Sequence, residues 1–314
     1  SRASLIQRFP GRTGRRGVET PYTLELQKCY RAGTCLDTHI GFVTSRQLIE
    51  EPMRKELKVI IVPGAYFTKE GVFKKLTAFT RKGGTLVVMP TSFVADEYNR
   101  RRDYLKELGV EIVTEVVPKY LAAKARQGVK MPGSEYDFIQ GPIAKTIVQE
   151  EPTATIAWKA RGTKPASTLT GRGIQQKIKL HGRSAVLATY EDGSPAVLAK
   201  KLGKGEVIYV AMQLEQDSVA DLLDWVYDRA GLDRPVRVRD RAGRRIPGLE
   251  SRTVPYEQGF LTYLYNMTER TVVARLHPKR RLRSIDDLTY ARTNKPTDTF
   301  EVGPYDFYVL KLNP

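Results

Sequence analysis

Three kinds of side chain in this chain could carry covalent or acid–base chemistry. Carboxylates occur as neighbours at Glu50-Glu51, Asp96-Glu97 and Asp286-Asp287. Paired acids can exchange a proton with a substrate only when both reach one point, and adjacent residues in a chain point in different directions. These pairs are therefore not acid–base dyads by spacing, and Asp286-Asp287 is expected in a turn between strands. Two cysteines, Cys29 and Cys35, are too few for a disulfide scaffold and are expected as buried or half-buried thiols. The three histidines, His39, His181 and His277, lie far apart with no metal-ligand spacing. No catalytic residue, metal site or cofactor site is assigned on these grounds.

Charge is the second signal. Fifty-two Lys and Arg against 35 Asp and Glu give a net charge of +17. A basic surface of that size can bind a polyanion, or can simply be solvated. The denser stretches are Arg8 to Arg16, Arg234 to Arg245, and Lys279 to Arg283. Arg244, Arg245, Arg280 and Arg281 are the candidate polyanion contacts. None of these stretches is interleaved with aromatics in a stacking pattern, so nucleic acid is not the expected partner. No apolar run approaches the ~20 residues of a membrane helix, and no apolar leader segment opens the chain, which leaves the cytoplasm and the exterior equally open. Trp158 could stack on a sugar ring, whereas Trp225, beside Leu222 and Leu223, is expected in a core.

The elements that must position these residues are organised around residues 57–96. Lys58–Pro63 is a short Val- and Ile-rich run that suits a strand buried on both faces. Gly64 allows the chain to turn at its carboxyl end. Thr68 is the expected N-cap of a helix whose Val72, Phe73, Leu76 and Phe79 share one face. Gly83-Gly84 ends it, and Thr85–Met89 is a second strand, so the two strands should be parallel. Ligands of such sheets sit beyond the strand carboxyl ends, here Pro63-Gly64-Ala65-Tyr66 and Pro90-Thr91-Ser92-Phe93.

Upstream, residues 1–20 read as a loop, and a helix begins at Pro21, carries Leu24, Leu26, Cys29 and Tyr30, and ends near Gly33. His39–Val43 is expected as a strand. Downstream, Tyr104, Leu105 and Leu108 belong to a helix closed by Gly109 and followed by a strand over 110–117. Residues 122–152 are rich in Gly and Pro and read as a long excursion with little regular structure. Strands are expected at 154–160 and 176–180, then a meander at 185–190, 196–202 and 206–212, its turns marked by Asp192-Gly193 and Gly203-Lys204-Gly205. A helix over 217–230 follows, with Val219, Leu222, Leu223 and Val226 inward. After Asp233 only short strands and turns remain, the pattern of a small all-β sandwich. Two domains are expected, 1–232 and 233–314.

Taken together, these pieces resemble a known family. Val59–Val88, Phe93–Ile112 and Gly203–Glu215 are similar to the trimerisation domain that follows the catalytic barrel in family-42 β-galactosidases and related glycosidases. The last 80 or so residues, ending in VGPYDFYVLKL (Val302–Leu312), resemble the small β domain that ends the same enzymes. The resemblance implies an α/β fold of flavodoxin-like, class I glutamine-amidotransferase-like type, a parallel sheet with helices on both faces, followed by the β sandwich. It implies a non-catalytic part of a glycoside hydrolase that serves oligomer assembly, as trimer or dimer, and shapes the rim of an active site that takes a carbohydrate. The rim candidates are Tyr66, Phe93, Asp96, Glu97 and Tyr98.

Two departures from the family matter. No Asn-Glu pair marks an acid/base of the barrel type, and a barrel of about 250 residues has no room here. An upstream piece of the polypeptide, or a companion chain, is expected to carry it, together with a first strand for which residues 1–9 begin too late. The amidotransferase Cys at a Gly-x-Cys-x-Gly elbow is also missing, since the matching turn reads Pro90-Thr91-Ser92-Phe93. Ser92 would need a base partner to act as a nucleophile. A carbohydrate- or polyanion-binding module, and more remotely a stand-alone amidotransferase-like enzyme, are the alternatives.

Overall fold

A computed structural model describes residues 21–98, 100–119, 145–159, 168–290, 292–294 and 298–314. The expectations for residues 1–20, and for the excursion from 122 to 144, fall outside them. The chain forms two compact units. The first comprises Ser1–Cys29 with Phe42–Ser218, the second Tyr30–Gly41 with Val219–Pro314.

The first unit is built on one mixed sheet. Helix α1 (Pro21–Thr34) opens the described chain, and its residues 21–29 belong here. Helix α2 (Ser45–Glu50) is closed by a capping box, in which Thr44 accepts from the Gln47 amide and Gln47 Oε1 accepts from the Thr44 amide. Next come β1 (Val59–Val62), α3 (Glu70–Arg81), β2 (Thr85–Val88), α4 (Tyr104–Glu107) and β3 (Val110–Pro118). The strands β4 (Lys145–Gln149), β5 (Thr153–Trp158), β6 (Leu169–Leu180), β7 (Ser184–Tyr190), β8 (Pro195–Leu202), β9 (Gly205–Val210) and β10 (Met212–Leu214) complete the unit. Their order is β1-β2-β9-β8-β7-β5-β6-β3-β4, with β10 on β6. Pairing is parallel at β1/β2, β2/β9 and β3/β4, and antiparallel elsewhere.

The expected crossover is present. β1 runs parallel to β2 in a register that sets Val59 against Thr85, with α3 between them. Val72, Phe73, Leu76 and Phe79 are buried on one face of α3. Burying four such side chains supplies on the order of 6–12 kcal/mol of transfer free energy. Gly205 lies so close to the end of α3 that an added Cβ would stand 2.1 Å from the Gly84 carbonyl oxygen and 2.2 Å from that of Thr80. A glycine is therefore what lets the β8–β9 hairpin seat against the helix. The meander also forms as expected, with Gly193 at φ 80° and the Ser194 amide donating to Asp192 Oδ1 at 2.9 Å.

Several local expectations are corrected. Residues 39–43 are not a strand but an irregular connection, with Phe42 and Val43 exposed. Thr68 does not cap α3: the N-cap is Lys69, and the Thr68 hydroxyl donates to the Ala65 carbonyl at 3.1 Å. Part of the 122–152 excursion is regular, since β4 pairs with β3. Helix α1 buries Thr23, Glu25 and Cys29, while Leu24 and Leu26 are only half-buried.

The second unit takes residues 30–34 of α1 and residues 219–229 of α5 (Gln216–Arg229). Val219, Leu222, Leu223 and Val226 of α5 are all fully buried. Its strands are β11 (Val236–Arg239), β12 (Leu249–Tyr256), β13 (Gly259–Asn266), β14 (Val272–Pro278), β15 (Ser284–Asp287), β16 (Arg292–Asn294), β17 (Thr299–Val302) and β18 (Phe307–Asn313). They form a three-stranded sheet, β11-β14-β17, and a five-stranded sheet, β12-β13-β18-β15-β16. Val236, Leu276 and Val302 of the first and Leu264, Ile285 and Leu310 of the second share one apolar core. Asp286-Asp287 lies within β15 rather than in a turn.

Candidate functional site

The carboxyl ends of β1 and β2, where a sheet of this kind would hold a ligand, are knitted to each other. The Phe93 amide donates to the Ala65 carbonyl at 2.9 Å, and the Val94 and Ala95 amides both donate to Tyr66 at 3.1 Å. Phe67 and Ala95 form a parallel bridge, which continues the β1/β2 pairing past the strand ends. Gly64 turns at φ 63°, and Thr91 and Phe93 adopt φ 65° and 63°. Non-glycine residues hold that region only when their surroundings over-determine it. The turn is thus rigid and closed over by its neighbour.

Ser92 is spent inside this turn. It is buried, and its Oγ lies 2.8 Å from the Met89 carbonyl and 3.1 Å from the Val62 carbonyl, so its proton is shared between two strand ends. A hydroxyl committed in this way has no base to activate it. His39, His181 and His277 are all exposed. Cys29 and Cys35 are buried thiols outside any disulfide, and burial pushes the Cys29 thiol well above its ordinary value, which disfavours the nucleophilic thiolate. Among the described residues no group of three or more His, Cys, Asp or Glu side chains could hold a metal ion.

The five rim candidates separate by depth. Tyr66 and Phe93 are packed inside the first unit, Tyr66 edge-on to Phe67 at 4.7 Å and Phe93 edge-on to Phe73 at 5.4 Å. Asp96 is buried at the base of the following loop. Its Oδ1 accepts from the Tyr98 and Arg100 amides at 2.9 and 3.0 Å, and its Oδ2 accepts from the Arg100 and Arg102 guanidiniums at 2.8 and 3.0 Å. Burial alone would raise this carboxyl, but the four donors outweigh it and hold it at about 2. Asp96 is accordingly a clamp that shapes the loop. Only Glu97 and Tyr98 reach solvent. Tyr98 is 72% exposed, with the Arg100 guanidinium 5.0 Å from its ring centroid.

The basic candidates divide in the same way. Arg245 is half-buried in the second unit against Asp221 at 3.0 Å, and Arg244 is tied to Asp240, its Nε donating at 3.0 Å. Two arginines of the run that begins at Arg234 are buried, Arg234 and Arg239. Arg234 is 1% exposed and holds Asp224 and Asp228, while Arg237 binds Asp228. Arg239 binds Asp37 at 2.7 Å and Asp224 at 3.0 Å. Asp37 in turn accepts from the Val238 amide at 3.1 Å and Ser251 Oγ at 2.6 Å. This network fastens α5, β11, β12 and the segment around Asp37 into one body. Arg280 and Arg281 remain exposed between β14 and β15, with no ion-pair partner among the described residues.

Glu115 and Glu25 are buried acids that no sequence signal marks. Glu115 on β3 is 2% exposed and accepts from Gln176 Nε2 at 2.8 Å. Tyr209 donates to Gln176 Oε1 at 2.6 Å, which fixes the amide orientation. Burial lifts the Glu115 carboxyl to about 7 against the pull of that hydrogen bond. Glu25 on α1 is also lifted to about 7 by burial, although Lys28 Nζ stands 3.5 Å from its Oε1. Alternation along β3 points both Glu111 and Glu115 outward. A register shift between Ile112 and Thr114 turns Glu115 inward.

Comparison with known proteins gives a consistent result. A family profile described as the β-galactosidase trimerisation domain matches residues 12–166 and 146–233. The chain is 26% identical over 190 residues to β-galactosidase BglY of Alicyclobacillus acidocaldarius, an alignment covering 60% of this chain and 24% of that protein. It is 26% identical over 223 residues to β-galactosidase BgaA of a Planococcus species, covering 69% of this chain and 28% of that protein. The chain thus spans about a quarter of the length of these curated relatives. Among solved structures, the family-42 β-galactosidase Gan42B of G. stearothermophilus, as a catalytic mutant, superposes with a TM-score of 0.65 at 18% identity, over 96% of this chain and 38% of that one. The cold-adapted β-galactosidase of Rahnella sp. R3 gives 0.66 at 17% identity, over 96% and 38%. At such identities the superpositions speak to fold, a large mixed sheet joined to further β sheets. The profile match covers more than half of the sequence, and the chain belongs to the β-galactosidase trimerisation domain family.

Proposed function

We propose that this chain is the non-catalytic assembly part of a β-galactosidase-like glycoside hydrolase. The family match over residues 12–233 carries the reading. In it, residues 1–232 form the assembly domain and residues 233–314 a terminal β domain. A catalytic barrel, upstream in the same polypeptide or on a companion chain, hydrolyses the glycosidic bond of a carbohydrate substrate. The parallel β1–β2–β9 portion with its α3 crossover supports a flavodoxin-like, amidotransferase-like origin for the assembly domain. The committed Ser92 hydroxyl supports a scaffold role for the turn that would otherwise hold a nucleophile. Of the rim candidates, Glu97 and Tyr98 have the exposure to meet a barrel or a substrate, and Asp96 sets their loop.

Sedimentation equilibrium of the intact chain tests the assembly role. A concentration-dependent homo-oligomer, a trimer or dimer, is expected. A monomer at every concentration up to the solubility limit would overturn it. A chromogenic galactoside assay on the same samples separates the scaffold from the enzyme reading: turnover by the chain alone, abolished by Ser92→Ala, would restore catalysis to this chain.

A further inference from the structure

The outer face of the five-stranded sheet carries an aromatic strip. On β13, Tyr263 and Tyr265 lie two residues apart, so both side chains leave the sheet on the same side, opposite the core-facing Leu264. On β18, Phe307 stands directly across from Tyr265. The Tyr263 ring centroid is 6.4 Å from that of Tyr265 at an interplanar angle of 30°, and 6.5 Å from that of Phe307 at 35°. Neither ring pair is edge-to-face, and the three side chains form one contiguous aromatic patch on this face. Phe307 is 44% exposed, and the two tyrosines are half-buried. Among the described residues neither tyrosine hydroxyl has a hydrogen-bond partner.

The charge on this face selects the ligand. The chain as a whole carries +17, yet the face does not share that excess. Arg252 is paired with Glu250 at 2.6 Å, and Lys311 with Glu257 at 2.6 Å. Asp286 adds a further carboxylate, which accepts from Asn313 at 2.9 Å. Both cations are neutralised and one acid is in excess, so a phosphate or sulfate polymer would meet no unpaired positive charge. A neutral ligand with a flat apolar face and a rim of hydroxyls fits: the face packs on the rings, and the rim reaches the free phenols and the paired carboxylates. That is the chemistry of a pyranose ring.

We propose that this face binds a neutral saccharide chain by stacking on Tyr263, Tyr265 and Phe307. The test is native affinity electrophoresis of the intact chain in gels cast with neutral galactan, galactomannan, xyloglucan or hydroxyethyl cellulose, with dextran sulfate and single-stranded DNA as polyanions. Retardation in at least one neutral gel, unchanged by added salt, is expected. Phe307→Ala and Tyr263→Ala should each weaken it by about tenfold or more, the scale of losing one stacking ring, and Tyr263→Phe should keep most of it. Phe307 lies at the surface, so if Tyr263→Ala fails to fold, Phe307→Ala decides. No retardation in any neutral gel, retardation by the polyanions alone, or wild-type retardation of Phe307→Ala would overturn the proposal. The oligomer measurement above is independent of this one, so either reading can fail without the other.

Discussion

Glu115 offers a measurable link between burial and stability. Its carboxyl titrates at about 7 in the folded chain against an ordinary 4.5, because burial penalises the charged form and the Gln176 amide restores only part of the loss. Between those two pH values the folded chain binds more protons than the unfolded chain, so stability falls as pH rises through the window. The contribution is fully present below about 4.5 and lost above about 7. At about 1.4 kcal/mol per pH unit, the gap amounts to about 3 kcal/mol. Glu115→Gln removes the ionisation while keeping an oxygen for Gln176 Nε2. The extra buried NH2 of the glutamine costs about 1–3 kcal/mol, but equally at every pH. Stability of variant minus wild type should therefore rise by about 3 kcal/mol from pH 4.5 to pH 8. Glu25 titrates in the same window and cancels in the difference. Urea titrations read by hydrogen exchange of peptides spanning β3 and β6 report on the first unit. A change below about 1 kcal/mol would refute the argument that Glu115 is desolvated and held by a single neutral donor.

Two further perturbations follow from the packing. Asp37→Ala strips the buried Arg239 of one carboxylate and leaves the Val238 amide and Ser251 hydroxyl without their acceptor. Because Asp224 stays 3.0 Å away, the cost should sit near the low end of the range for a broken buried pair, about 3 kcal/mol in urea denaturation; a loss under about 1 kcal/mol would show that the network is solvated. Gly205→Ala must displace backbone oxygens at 2.1 and 2.2 Å and should destabilise by several kcal/mol, whereas Gly71→Ala, inside α3 with Ile49 carbons at 3.6 and 3.7 Å, should stabilise by roughly 0.5–1 kcal/mol. Thermal melts of the two variants should move in opposite directions.

Local order in this chain was written in local sequence. The Val-Ile run, the glycine pair after Phe79, the Asp-Gly turn and the 3.6-residue spacing of Val219, Leu222, Leu223 and Val226 each act over a few residues, and each produced the element they announce. The family was legible for the same reason, since these elements recur in order. What lay beyond the sequence was any property set by partners far away in the chain. A single register shift turned Glu115 from solvent to core, because side-chain direction has a period of two and one slip reverses it. The basic run from Arg234 reads as a surface for polyanions, yet Asp37, Asp221, Asp224 and Asp228 draw four of its arginines into ion pairs, Arg234 and Arg239 of them buried. Likewise Tyr263 and Tyr265 share a face by alternation alone, but only the pairing of β13 with β18 brings Phe307 beside them. Spacing along the chain determines which way a side chain leaves its element; tertiary packing determines what it meets, and charge and burial follow from that.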